Sequence, residues 1–321
     1  MLQNVKFHKL VEEEKISEYL STSYDQVTKS WFGFQNQWMR KAYHTFYDLE
    51  KYVIFLYLVK KTINFFSQNL ISYDYKTYFK SKRFEIANFN VIEISKELNI
   101  SKETARRKIL ELEKENIIKR NKKKLIAQNV IDRSRFKGHR PEESIKNVSK
   151  FLSDFSHLLT KEKLIDKKIE KEIIEKYILE NFTYSWNYFL DMQIPFLLNW
   201  KKIFGDIETW YVFGQCWINK DINLRKIKTS ETNYIFKILG IKNTEGINAM
   251  SISELTGIPR ATVVRKLKKL LKMKVILIDD RKLYHPNQLG GDIISTFNNN
   301  RFLIAKFSTK IFNSIISKNL I

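Results

Sequence analysis

A mainly α fold of two tandem repeats, each a helical bundle followed by a helix-turn-helix and a short β-hairpin, is what three features of this 321-residue chain predict. The first is a gapless internal alignment. Residues 94–129, opening ISKELNISKETARRKI, match residues 252–287, opening ISELTGIPRATVVRKL, at a spacing of 158. Twelve of the 36 aligned positions are identical, and a repeat of that length sets the architecture before any single element is assigned. The second is composition. Hydrophobic residues make up 43% and aromatics 14%, enough for a core, while 9 Gly and 4 Pro are too few to punctuate many short strands. The third is charge. The net charge is +22, and the segments 101–124 and 259–282 together carry +13 of it, leaving +9 for the other 273 residues. Codon bias toward lysine would spread that charge evenly, so its concentration points to a polyanionic partner.

The alignment continues upstream of the matched segments, pairing Tyr19 with Tyr177, Trp31 with Phe189, Gln35 with Gln193, Trp38 with Phe196, and 48–52 with 206–210. Apolar and aromatic character is kept while surface residues change, as in a duplicated core. One repeat is therefore expected over 1–160 and the other over 165–321, each long enough for its own core. In order, the first half should hold aromatic-rich helices near 10–20, 29–47 and 49–68, the winged-helix module over about 72–130, and a trailing amphipathic helix over 145–159. The second half should repeat this, with a helix over 231–239, the module over about 230–288, and a C-terminal helix over 293–318. Residues 138–141 read as a turn, and the charged run 161–171 reads equally as the junction or as a solvated helix surface. The cluster Trp31, Phe32, Phe34, Trp38, Tyr43, Phe46 and Tyr47 reads as core or interface, with a pocket for a small aromatic effector as the lesser reading.

Within the first module, 94–98 forms a short helix, 99–101 a turn with Ser101 as N-cap, and 102–115 a second helix. Ala105, Ile109 and Leu112 recur at helical spacing and face inward, as do Val263, Leu267 and Leu270 in the second module. There the turn is 256–259, with Gly257 suited to positive φ and Pro259 to the start of a second helix over 260–273. Each second helix is followed by two β-prone runs around a basic tip, 117–120 and 125–128 in one copy, 275–278 and 283–285 in the other. That order places a helix in the major groove and a hairpin along the backbone of duplex DNA. The candidate DNA contacts are Ser101, Lys102, Glu103, Thr104, Arg106, Arg107 and Lys108 with Lys122, Lys123 and Lys124 in the first copy. In the second they are Arg260, Ala261, Thr262, Val264, Arg265, Lys266, Lys268 and Lys269 with Arg281 and Lys282. Arginine reads guanine, alanine and valine touch a thymine methyl, and threonine at a helix start meets phosphate.

On these residues the two modules resemble the winged helix-turn-helix of bacterial transcription regulators of the MarR type. The resemblance implies two-fold pairing through the terminal helices, here inside one chain as a fused pseudo-dimer. Two departures are plain: the wings are short, and both halves share one chain. The implied function is sequence-specific recognition of double-stranded DNA at an asymmetric site, because Glu103 and Arg106 stand where the second copy has Ala261 and Val264.

No Gly-rich phosphate loop, His-Glu-x-x-His or paired-cysteine motif is present, and His8, His44, His139, His157 and His285 are scattered, so neither enzyme chemistry nor a cofactor is expected. Lone Cys216 reads as a small buried residue. With one cysteine, no apolar stretch of signal-peptide type in the first 15 residues and no membrane-length apolar run, the expected location is the cytoplasm, on the nucleoid. Two other readings fit the same motifs: a plasmid- or phage-type replication initiator, and a winged-helix module for protein interaction or chromosome organisation.

Overall fold

The connection at 47–48 shows how the chain turns its long helices back on each other. Tyr47 takes a left-handed conformation (φ 52°) and donates its N–H to the Tyr43 carbonyl, closing one helix, and Asp48 then caps the next. At 205–206, Gly205 (φ 81°) donates to Lys201 and Asp206 caps its own helix. A left-handed residue satisfies the last free carbonyls, and an aspartate satisfies the first free amides.

The computed structural model describes residues 9–69, 71–80, 83–86, 90–120, 125–128, 141–225, 234–240 and 245–320. The first half contains α1 (Glu13–Thr22), α2 (Tyr24–Phe46), α3 (Leu49–Gln68), α4 (Tyr75–Lys80), β1 (Arg83–Ile86), α5 (Val91–Glu97), α6 (Lys102–Lys114), β2 (Ile118–Arg120), β3 (Leu125–Gln128) and α7 (Pro141–Lys161). The second contains α8 (Lys171–Glu180), α9 (Phe182–Phe204), α10 (Ile207–Leu224), α11 (Tyr234–Gly240), α12 (Ala249–Thr256), α13 (Arg260–Lys272), β4 (Ile276–Ile278), β5 (Tyr284–Pro286) and α14 (Gly291–Ser317). The protein is mainly α, with 76% helix against 3% strand. The bounds of α8, α9, α13 and β4 lie 158 residues beyond those of α1, α2, α6 and β2. The turn expected at 138–140 and the tip at 121–124 lie outside the described residues.

The halves do not keep separate cores. One continuous cluster of buried side chains runs through both, because α2 and α9 present aromatics to each other. Trp31 meets Phe196 at 5.4 Å and Trp38 meets Phe189 at 4.8 Å between ring centroids. Between these contacts Gln35 and Gln193 donate to each other, at 2.9 and 3.1 Å, and so satisfy two buried amides in an apolar setting. The terminal helices are exchanged as well: α1 packs on α14, and α8 packs on α7. The asparagine side chain of Asn313 bonds both the amide and the carbonyl of Val11, at 2.7 and 2.9 Å.

The strands differ from expectation in one respect. β2 and β3 pair antiparallel as predicted, but β1 adds a third strand in the order β1-β3-β2. In the second half β4 pairs with β5, and the place of a third strand is taken by the single bridge between Ile247 and Tyr284.

Candidate nucleic-acid interface

Two helix-turn-helix segments with short antiparallel strand pairs are built from the same local contacts. Ile94 and Ile252 are fully buried, as are Ala105, Ile109 and Leu112 on α6 and Val263, Leu267 and Leu270 on α13. Ser95 Oγ bonds the Ile100 carbonyl and Ser253 Oγ the Ile258 carbonyl, each at 2.7 Å, which ties the first helix to the end of the turn. The turn residue is left-handed in both, Asn99 at φ 47° and Gly257 at φ 75°. Ser101 caps α6, its Oγ accepting from Thr104 N at 3.0 Å and donating to Thr104 Oγ1 at 2.8 Å. Pro259 stands at the start of α13, where its missing N–H is no loss.

The outward residues divide into free and engaged groups. Ser101, Lys102, Glu103, Arg106 and Arg107 are exposed, and Thr104 is half-buried. On α13, Arg260, Ala261, Arg265 and Lys268 are exposed, while Thr262 and Val264 are half-buried. Among the described residues, no ion pair engages Lys102, Arg106, Arg107, Arg260, Arg265 or Lys268.

Three lysines counted among the contacts are engaged elsewhere. Lys108 is only 7% exposed, and its ammonium pairs with Asp48 and, at 3.2 Å, with Glu111. Lys266 reaches Asp206 at 2.6 Å and Lys269 reaches it at 3.1 Å. The burial of Lys108 has a geometric cause. Position 108 lies three residues after Ala105 and four before Leu112, so it shares their inward face, and only the end of the long side chain escapes to a carboxylate. Burial by itself would lower the Lys108 ammonium, and the contacts with Asp48 and Glu111 raise it above its usual range. Asp206 is the mirror case: burial would raise it, but hydrogen bonds from Lys266 and Thr209 hold it at about 2. Each aspartate thus caps a long helix and fixes the second helix of the module.

At the second hairpin, Asp279 accepts from Leu283 N at 2.8 Å and meets His285 Nε2 at 3.1 Å, closing the turn. Arg281 and Lys282 at its tip are exposed. Lys122, Lys123 and Lys124 of the first tip lie outside the described residues. The residues missed in the sequence are those behind the surface: Asp48, Asp206, Lys201 and His44. The aligned runs 48–52 and 206–210 were visible, but nothing local says that their aspartates meet lysines some 60 positions away.

Among the described residues there is no cluster of His, Cys, Asp or Glu that could hold a metal ion, and no helix long and apolar enough to cross a membrane. An apolar cavity lined by Trp31, Phe196, Trp200, Trp210 and Trp217 has a volume of about 60 Å³. No known protein family, curated protein or solved structure matches the chain.

Proposed function

We propose that the protein is a sequence-specific double-stranded DNA-binding transcription regulator, a fused pseudo-dimer of two winged helix-turn-helix units. One observation carries the reading. Two helices in equivalent frames, α6 and α13, each begin at a tight turn, each bury one apolar face, and each offer, on the other face, three cations that no ion pair engages among the described residues. Cations on the outer face of such helices suit phosphate contact and guanine readout in a major groove.

The pseudo-dimer is supported by the packing of α2 on α9. Exchanging each residue for its partner 158 positions away turns the Trp31–Phe196 contact into the Phe189–Trp38 contact and leaves the Gln35–Gln193 pair in place. That reciprocity is the mark of an isologous, two-fold interface. Two reading helices related in this way meet inverted half-sites, and their different side chains make those half-sites unequal. An aromatic effector forms no part of the proposal, since a cavity of about 60 Å³ falls well below the roughly 150 Å³ that admits benzene.

Selection from random duplex DNA at a fixed physiological salt concentration tests the reading, salt being decisive for any such affinity. The expected product is one asymmetric site with two inverted, unequal halves. Arg106→Ala should relax specificity in one half and Arg265→Ala in the other, each by about 1–3 kcal/mol of base discrimination. Perfect inverted symmetry would count against unequal halves, and direct repeats would favour a replication initiator. No enrichment, with binding that disappears as salt rises, would leave a protein-interaction or DNA-coating module.

A further inference from the structure

Each helix-turn-helix rests on its own half through an Asp–Lys pair, and its turn is also gripped by the other half. In the first module the turn between α5 and α6 leaves the Leu98 and Asn99 carbonyls without helical partners. Lys201, from α9 of the second half, donates to both, at 3.4 and 3.2 Å, and pairs with Glu50 on α3 at 3.2 Å. An ammonium has three protons to give, and here three acceptors surround it in a site where the residue is only 9% exposed.

In the second module the equivalent turn residue is Gly257. Against it lies the ring of His44, from α2 of the first half, so close that a Cβ at 257 would stand 2.8 Å from His44 Nε2. Helix α2 packs on α12 there. In the alignment at 158, His44 corresponds to Lys202, the neighbour of Lys201, so both grips come from the last turn of the long helices α2 and α9. The chemistry differs, charge on carbonyls in one and the ring of an exposed histidine on a bare glycine in the other, but both grips start from the same turn of equivalent helices. A reading unit that moved alone would have to leave both its own half and the opposite one.

We propose that Lys201 and His44 are positioning residues, each fixing the reading helix of the opposite half, so that the two halves of the DNA site are bound as a coupled pair. The coupling of half-sites rests on the DNA-reading function proposed above; the crossed brace itself does not.

Hydrogen–deuterium exchange on the full chain without DNA tests the brace. Lys201→Met should speed amide exchange in 94–105 about tenfold and leave 252–263 unchanged, and His44→Ala should do the reverse. Because Lys201→Met leaves Glu50 without its cation, Lys201→Met/Glu50→Gln is the companion variant, with the same exchange pattern expected. Equal loosening of both modules in all three variants, or no loosening in either, would overturn the crossed brace. With the selected duplex in hand, Lys201→Met should weaken binding to DNA keeping only the α6 half-site and spare DNA keeping only the α13 half-site. If the wild-type chain selects no site, the DNA reading fails, while the exchange pattern still decides the brace.

Discussion

Asp206 uses one carboxylate for two tasks. Its Oδ1 accepts from Thr209 N at 2.7 Å, capping α10, and its two oxygens hold Lys266 and Lys269 on α13. Asp48 does the same for α3 and Lys108. The aspartate is held at about 2, below the ordinary 3.8, so the folded state binds its proton less tightly than the unfolded state does. That stability is fully present above pH 4 and is lost as pH falls from about 4 through about 2. A shift of this size, discounted for the solvent that reaches the side chain, corresponds to about 1–2 kcal/mol. Asp206→Asn should therefore cost that much in urea denaturation at pH 7, and the gap to wild type should narrow steadily below pH 4. A gap constant with pH would show that the lost packing, not the charge, is responsible.

Helix ends are where the sequence was most and least legible. The second helices came out as read, because Ser101, Gly257 and Pro259 are local signals with local causes, and inward positions recur at a period the eye can count. The strand β1 was invisible, since four residues, 83–86, are too short a run to separate alternation from chance. The caps Asn90 and Asn248 sit at equivalent places but lack the surrounding pattern that would pick them out from other asparagines. The ion pairs of Lys108, Lys266 and Lys269 were not legible, because periodicity gives a residue's face but not the carboxylate waiting on another helix. The helix end at 47 was placed by the reading of 29–47 and 49–68, but not its conformation: Tyr47 adopts at φ 52° the conformation that glycine supplies at 205. A side chain in that region costs about 1–2 kcal/mol relative to glycine. Tyr47 is 65% exposed, and its ring meets that of Tyr43. Tyr47→Gly should raise the melting temperature, with a gain of up to about 1 kcal/mol. A lower melting temperature would mean that the tyrosine ring beside Tyr43 contributes more than the strain removes.

At the scale of the molecule the two halves share one buried core, and the reason is topological. The sequence showed two copies and aromatic helices through which they could pack, but not which aromatics meet, since an alignment says which residues are equivalent and not which ones touch. Aromatics of α2 and α9 meet, α1 packs on α14, α8 packs on α7, and the buried amides of Gln35 and Gln193 bond one another. A half released alone would expose the aromatic face of its longest helix and strand a buried amide, whose loss of a partner costs about 1–3 kcal/mol. Cutting the chain at the exposed pair Asp166 and Lys167, between α7 and α8, separates the halves without removing a core residue. The fragments 1–166 and 167–321 should each fail to melt cooperatively by themselves. Produced together they should form a 1:1 complex that melts sharply, at a temperature that rises with protein concentration because association now replaces the covalent link. Sedimentation and thermal melts over a range of concentrations read both effects. Either fragment folding as a monomer with a sharp melt of its own would show two independent domains, and the crossed contacts would then be docking between finished structures rather than part of one core.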